Sequence, residues 1–146
     1  MNLQLLEPTI AALLSEDPDG ELLTCLLGEP WKLEQFLRVG IGISATLGRL
    51  HKHGFVHKDI KPANIFVDAE TGEAWLSGFG LASHLPRQRQ APAPLELLAG
   101  TLAYMAPEQT GRMNRSIDSR SDLYSLGVTL YQMLTGVLPF AACDPM

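Results

Sequence analysis

The segment His57–Asn64 carries three polar side chains whose types and spacing suit the transfer of a phosphoryl group. They are the carboxylate of Asp59, the ammonium group of Lys61 and the amide of Asn64. A carboxylate can orient a hydroxyl group and accept its proton, a cation can neutralise charge on a transferred phosphoryl group, and an amide oxygen can help to hold Mg²⁺. The alternative is a polar loop whose side chains satisfy one another, but a set of specified residues at such fixed spacing rarely arises by chance.

Two apolar helices are predicted on either side of this segment. Apolar residues recur at helical spacing from Leu33, which predicts a helix that ends near His53, with Gly54 as its stop signal. Three glycines weaken this helix locally and predict close packing against another element: Gly40, Gly42 and Gly48. A second helix is predicted over Asp122–Thr135, with Gly136 at the C-cap. Four leucines would share one face of the second helix: Leu123, Leu126, Leu130 and Leu134.

Shorter elements are predicted between and before these helices. Asn64–Asp68 and Glu73–Ser77 are strand candidates that a short turn joins into a hairpin. Glu21–Leu27 predicts a short helix, and Thr9–Leu14 has the length and composition of a strand. The stretch Pro86–Pro94 is polar and contains three prolines, which predicts an exposed loop.

The composition limits the classes of protein that this chain can represent. The 146 residues leave room for one ordinary domain, and 46% hydrophobic against 18% charged residues suit a globular core. A net charge of −5 argues against a broad nucleic-acid-binding surface, and apolar stretches such as Ile10–Leu14 are too short for insertion into a membrane. Cys25 and Cys143 suit neither a metal site nor a disulfide framework, so we expect a cytoplasmic protein.

The order of the motifs along the chain resembles the eukaryotic-type protein kinase family. Asp59, Lys61 and Asn64 match its catalytic loop, and Gly78-Phe79-Gly80 stands where the family has its Asp-Phe-Gly metal motif. Gly100–Glu108 is similar to the substrate-docking segment that ends in Ala-Pro-Glu. Ser121–Gly127 is similar to the start of the buried central helix of the larger lobe.

Two further features sharpen the resemblance. Lys61, two residues after Asp59, together with Thr101, is the pattern of serine/threonine kinases rather than of tyrosine kinases. The phrase Gln109–Asp118 is similar to large bacterial signalling proteins that join a kinase-like domain to an ATPase module and a sensor histidine kinase. The resemblance therefore implies a domain of a larger signalling protein.

The resemblance implies catalytic roles for four residues. Asp59 would be the base that orients the substrate hydroxyl, and Lys61 would contact the transferred phosphoryl group. Asn64 would bind one Mg²⁺ ion beside the nucleotide. Thr101 would bridge Asp59 and Lys61.

Three other residues would have structural roles. His57 would be a packed core histidine rather than a ligand or a base. Asp122 would accept backbone hydrogen bonds from the catalytic loop. Glu108 would pair with an arginine near the end of the complete domain.

The sequence departs from the family pattern at the nucleotide. Gly78 replaces the aspartate that normally holds the metal ion bridging the phosphates, and glycine offers no side-chain ligand. No Gly-x-Gly-x-x-Gly motif precedes the catalytic loop, and Lys32 stands at a helix start rather than in a strand. We therefore expect the phosphates to be poorly held.

The resemblance implies an α+β, protein kinase-like fold, mainly the helical larger lobe, truncated at both ends. Residues 1–146 would form a partial kinase domain, with the last small-lobe strand and the hinge at about residues 9–20 and an incomplete larger lobe at 21–140. The helices that cover the central helix would be missing, which would leave three leucines partly bare: Leu126, Leu130 and Leu134.

Two functions fit these observations. One is a serine/threonine protein kinase domain in signal transduction, with ATP and Mg²⁺ as cofactors and protein hydroxyls as acceptors, inactive as this fragment. The alternative is a pseudokinase that serves as a regulatory or docking module, which Gly78 favours. A nucleic-acid or membrane binder would have only Arg87 and Arg89 to support it, and two arginines in a proline-rich loop are typical of a solvated surface.

Overall fold

The computed structural model describes residues 20–78, 102–111 and 115–140, together with the backbone of residues 83 and 84. Its elements are β1 (Glu21–Leu22), α1 (Leu23–Leu26), α2 (Leu33–Lys52), β2 (Phe55–Val56), β3 (Ile65–Val67), β4 (Ala74–Leu76), β5 (Ser83–His84) and α3 (Ser119–Thr135), with 3-10 turns at Pro62–Asn64, Leu102–Tyr104 and Pro107–Thr110. This arrangement confirms the α+β class. The predicted strand Thr9–Leu14 and the predicted loop Pro86–Pro94 lie outside the described residues.

The first long helix, α2, confirms its prediction almost to the residue. It ends at Lys52, and the backbone N–H of His53 closes the last turn on the carbonyl oxygens of Arg49 and Leu50. Gly54 follows with φ 77°, a left-handed conformation that glycine adopts without strain. The core face of α2 carries four fully buried aliphatic side chains: Val39, Ile43, Leu47 and Leu50.

The predicted hairpin is also confirmed. Strands β3 and β4 pair antiparallel, with Phe66 opposite Trp75. Strand β1 joins the other edge of β3, which gives a three-stranded sheet in the order β1-β3-β4. The helix predicted over Glu21–Leu27 is therefore only partly right, because its first two residues pair with β3 and only Leu23–Leu26 are helical. Strands β2 and β5 form a separate two-stranded sheet.

The second long helix, α3, begins three residues earlier than predicted and ends as predicted. Asp118 is its N-cap, and the Asp118 side chain accepts a hydrogen bond from the backbone N–H of Arg120 (2.8 Å). Thr135 is the last helical residue, and Gly136 forms the C-cap with φ 75°. Gly136 marks the C-terminal end of α3 clearly in the sequence. The apolar periodicity does not extend to Asp118 and Ser119, so it places the start of the helix too late.

The predicted leucine face of α3 is wrong in part. Leu123 and Leu134 are 53% and 41% exposed, whereas Leu126 is only 6% exposed and belongs to the core. Of the three leucines expected to be partly bare, Leu130 is partly buried and Leu134 is exposed, so the expectation is wrong only for the buried Leu126. The buried side of α3 is mixed rather than leucine-rich, and consists of Ser121, Asp122, Ser125, Leu126, Val128, Thr129 and Met133.

Buried hydroxyl groups explain how α3 turns a polar face inward. The Ser125 hydroxyl donates to the carbonyl oxygen of Ser121 (3.2 Å), and the Thr129 hydroxyl donates to that of Ser125 (3.0 Å). Each hydroxyl is satisfied within its own helix, so its burial leaves no unpaired polar group. A pattern of apolar residues alone could not predict this face.

One hydrophobic core joins α1, α2, α3 and the hairpin. Its buried members include Leu23, Ile43, Leu76 and Met133. In the part of the chain that the structure describes, no helix is both long and apolar enough to cross a membrane.

The glycines of α2 differ in what surrounds them. A Cβ atom at Gly42 would overlap the carbonyl oxygen of Gly72 in the hairpin turn, whereas a Cβ atom at Gly48 would meet, among the described residues, nothing outside its own helix backbone within 4 Å. The predicted close packing is therefore confirmed at Gly42 and wrong at Gly48.

We predict opposite effects for alanine at these two positions. Gly42→Ala should lower the free energy of unfolding by about 2 kcal/mol or more, because the hairpin backbone must move away. Gly48→Ala should raise it by up to about 1 kcal/mol, because alanine favours a helix over glycine. Urea unfolding followed by circular dichroism measures both, and equal effects of the two substitutions would contradict the close contact at Gly42.

Candidate active site

The structure brings Asp59, Lys61 and Asn64 together. The Lys61 Nζ atom lies 3.1 Å from Asp59 Oδ2, and Asn64 Nδ2 donates to the same oxygen at 2.8 Å. Asn64 Nδ2 also donates to the backbone carbonyl oxygen of Asp59 (2.8 Å). The Asp59 side chain is only 14% exposed, and its Oδ1 atom is buried with no hydrogen-bond partner among the described residues.

A short 3-10 turn explains this convergence. Pro62 occupies its first position, where a fixed φ angle favours the turn and the missing N–H is not needed. The backbone N–H of Asn64 closes the turn on the carbonyl oxygen of Lys61 (2.9 Å). The chain therefore doubles back, and the side chain of Asn64 returns to Asp59.

The buried carboxylate of Asp122 holds the start of this loop from the first turn of α3. Its Oδ2 atom accepts the backbone N–H of His57 (2.8 Å), and its Oδ1 atom accepts that of Lys58 (2.7 Å). The Nε2 atom of His51, in the last turn of α2, also lies 2.8 Å from Oδ2 and donates to it, since a carboxylate only accepts. One carboxylate therefore connects α2, α3 and the loop. Asp122 lies in the first turn of α3, where the helix dipole favours a negative charge.

His57 is completely buried and its ring contacts are specific. Its Nε2 atom lies 2.8 Å from the carbonyl oxygen of Ser77, and its Nδ1 atom accepts the backbone N–H of Asp59 (3.2 Å). These contacts require a neutral ring with the proton on Nε2. Burial lowers the pKa of His57, although the charges of Asp122 and Asp59 and the bond to Ser77 act in the opposite direction.

Lys58 has a strained backbone that is held from two sides. Its φ angle of 69° is left-handed, a conformation that side chains other than glycine rarely adopt. The Lys58 N–H donates to Asp122, and the Lys58 carbonyl oxygen accepts from Gln109 Nε2 (2.8 Å). Burial also lowers the pKa of the Lys58 ammonium group, against the charge of Asp122. The left-handed turn at Lys58 redirects the chain just before Asp59.

Glu108 lies beside the start of α3. Its Oε1 atom accepts the hydroxyl of Ser121 at 2.6 Å, which ties the segment of Pro107–Thr110 to the central helix. The arginine partner that the resemblance implies for Glu108 stays a prediction. Thr101 and the residues Phe79 and Gly80 lie outside the described residues.

Two residues of the site were missed by the sequence analysis. His51 contacts Asp122 across 71 positions, and Gln109 contacts Lys58 across 51 positions. Nothing in the sequence around His51 indicates that it contacts the site. Gln109 opens the phrase Gln109–Asp118, whose unusual sequence was the available signal, but the contact itself could not be inferred.

Among the described residues, only Asn64 offers a side chain at a position that the resemblance gives to a Mg²⁺ ligand, and its role as a ligand stays a prediction. Gly78 offers no ligand, and the amide nitrogen of Asn64 and the ammonium group of Lys61 already occupy Asp59 Oδ2. Asp68 accepts two backbone N–H groups of the β3–β4 turn instead of facing the loop. Within the described ranges, no three His, Cys, Asp or Glu residues are grouped so that they could hold a metal ion.

We predict that Asp122→Asn is strongly destabilising. The variant loses the charge and presents an NH₂ group to donors that need an acceptor, so the free energy of unfolding should fall by about 3 kcal/mol. Asp118→Asn is the matched control on the same helix, because asparagine is an equally good N-cap, and it should have a much smaller effect. Equal losses in urea unfolding would contradict the role of Asp122.

We predict that acidification weakens the fold through His57. The pKa of His57 is lower in the folded chain than in the unfolded chain. The contribution of neutral His57 to the free energy of unfolding is therefore complete above about pH 6.5, and it decreases as the pH falls from there through the pKa of the folded chain. His57→Gln removes the titrating ring, so its free energy of unfolding should change less than that of the wild type between about pH 7.5 and pH 5.5. Parallel pH profiles of the two proteins would contradict the prediction.

Comparisons with known proteins agree with the motif order. Residues 13–145 match the family model described as a protein kinase domain. The chain is 38% identical over 135 residues to the serine/threonine-protein kinase Pkn1 of Myxococcus xanthus, which covers 88% of this chain and 18% of that protein. It is 40% identical over 111 residues to the DNA damage-responsive serine/threonine-protein kinase RqkA of Deinococcus radiodurans, which covers 76% of this chain and 16% of that protein.

A third relative matches a shorter part of the chain. The serine/threonine-protein kinase PknB of Mycobacterium tuberculosis is 38% identical over 96 residues, 66% of this chain and 15% of that protein. The chain thus spans about a fifth or less of the length of these relatives. The match along nearly the whole chain shows that it belongs to the protein kinase family, as a kinase domain of the serine/threonine type.

Proposed function

We propose that this chain supplies the part of a serine/threonine kinase domain that positions the phosphate-accepting hydroxyl, with ATP as the donor and a protein side chain as the acceptor. The observation that carries the proposal is the convergence of Lys61 and Asn64 on the buried carboxylate of Asp59. ATP as the donor is consistent with the cytoplasmic location that we expect. The proposal treats residues 1–146 as a partial domain.

The proposed step is phosphoryl transfer to a serine or threonine hydroxyl. Asp59 orients the hydroxyl and takes its proton while the new oxygen–phosphorus bond forms and the bond to the leaving ADP breaks. Lys61, 3.1 Å from Asp59, places a positive charge where the transferred group gains negative charge. Asn64 fixes the direction of the Asp59 carboxylate by donating to both its side chain and its backbone.

The second candidate function is a pseudokinase that acts as a regulatory or docking module. The specific observation that favours it is the poor fit of the described residues to Mg²⁺, with no ligand at Gly78. In this alternative the fold is kept for contacts with partner domains of a larger bacterial signalling protein, as the phrase Gln109–Asp118 suggests. The two functions share the fold and differ in whether a protein hydroxyl group binds at Asp59 and accepts a phosphoryl group.

We predict that the chain alone does not phosphorylate proteins. Its 146 residues contain no phosphate-covering glycine-rich loop before Asp59, and Gly78 provides no metal ligand. The assay combines the chain with labelled ATP, Mg²⁺ and a generic acceptor protein. Label incorporation that exceeds background and disappears in Asp59→Asn would contradict this prediction.

The complete gene product distinguishes the two functions. If it is a kinase, Asp59→Asn should lower the rate of label incorporation by about 10² to 10⁴-fold, the usual contribution of a positioned base. Asp68→Asn is the matched control, because it removes the same charge from the hairpin turn and should leave the rate unchanged. No incorporation by the wild-type gene product would favour the pseudokinase.

A further inference from the structure

We propose that Gly78 is a positioning residue that acts on Asp59 through Asn64. The missing side chain at position 78 leaves a space, the Asn64 amide fills it, and from there the amide holds the carboxylate of Asp59. Gly78 and Asn64 would therefore be a coupled pair rather than two independent positions in the site. The proposal concerns the orientation of Asp59 and does not depend on whether phosphoryl transfer takes place.

The first observation is the position of the Asn64 amide group over Gly78. A Cβ atom at position 78 would lie 2.5 Å from both Cγ and Nδ2 of Asn64 and 2.6 Å from Oδ1. Non-bonded heavy atoms repel strongly at such distances, since the optimal separation of two carbon atoms is about 3.5–4.0 Å. Any side chain at position 78 therefore requires the Asn64 amide to move.

The second observation is that the Asn64 amide is not free to move. Its Nδ2 atom donates to the carbonyl oxygen and to Oδ2 of Asp59, both at 2.8 Å, and the second bond is charge-assisted. The Asn64 backbone is held as well, because its carbonyl oxygen accepts the N–H of Ser77 (2.9 Å) and its N–H donates to Lys61 (2.9 Å). Displacement of the amide therefore breaks both bonds to Asp59.

The third observation links this pair to the carboxylate. The Oδ1 atom of Asp59 is buried without a partner in the described part of the chain, so the contacts at Oδ2 set the direction of the group. Those contacts come from Lys61 and Asn64. A side chain at position 78 would remove the Asn64 contact. A side chain introduced by Gly78→Asp would therefore displace the Asn64 amide and change the orientation of the Asp59 carboxylate, whether or not the new carboxylate binds a metal ion.

The alternative explanation is that position 78 requires glycine only for its backbone. Gly78 has φ +76°, which disfavours every other residue. Gly111 provides the matched control, because its φ is +73° and a Cβ atom there would meet none of the described residues beyond its chain neighbours within 4 Å. Substitution of Gly111 thus measures the backbone effect alone.

A double-mutant cycle in the full chain separates the two explanations. Gly111→Ala should raise the equilibrium constant of unfolding about 5- to 30-fold through the left-handed backbone. Gly78→Ala should raise it about tenfold further, and this excess should vanish when Gly78→Ala is made in an Asn64→Ala background. The same effect of Gly78→Ala in both backgrounds would overturn the proposal. If Gly78→Ala alone fails to fold, the double variant should fold, and its failure would also overturn the proposal.

Nuclear magnetic resonance of the Asn64 side chain tests positioning directly. The two Nδ2 protons, identified by their loss in Asn64→Ala, should exchange slowly with solvent in the wild type and in Gly111→Ala. In Gly78→Ala they should exchange rapidly, and the carboxyl carbon resonance of Asp59 should shift at the same time. Unchanged Asn64 and Asp59 signals in folded Gly78→Ala would show that Gly78 has only a backbone role.

Discussion

The carboxylate of Asp122 is the constraint on which the arrangement of this site depends. It accepts the backbone N–H groups of His57 and Lys58 and the ring N–H of His51, and Asp122 is 1% exposed. A buried charge without these donors would be strongly unfavourable, so the carboxylate and the loop must adopt their positions together. The loop is consequently fixed to α3 and to the end of α2, rather than only to its neighbouring strands.

This anchoring makes a strained backbone possible beside Asp59. The left-handed conformation of Lys58 costs of order 1–3 kcal/mol and persists only where the surroundings determine it. Asp122 holds the N–H of Lys58, and Gln109 holds its carbonyl oxygen. The turn at Lys58 and the neutral ring of His57 then leave the carboxylate of Asp59 directed at Lys61 and Asn64. A polar residue far along the chain thus determines the geometry at the candidate base.

Local spacing predicted what depends on local geometry. The bounds of α2 and the hairpin followed from periodicity and turn residues, and the closeness of Asp59 and Asn64, five positions apart, follows from the short 3-10 turn at Pro62–Asn64. Contacts between distant parts could not be predicted, because His51 and Asp122 meet only after α2 and α3 have packed. The polar buried face of α3 was missed for a different reason, since the hydroxyl groups of Ser125 and Thr129 are satisfied within the helix and leave no apolar pattern in the sequence.

The same difference between local pattern and tertiary packing applies to Gly78. In the sequence it is a lost metal ligand, and the loss alone predicts a weakened site. In the structure the space at Gly78 is filled by the Asn64 amide, which holds the carboxylate of Asp59 by a charge-assisted hydrogen bond. This bond joins two residues of the protein and requires neither a metal ion nor a nucleotide. The acceptor side of the site can therefore be ordered independently of the phosphates.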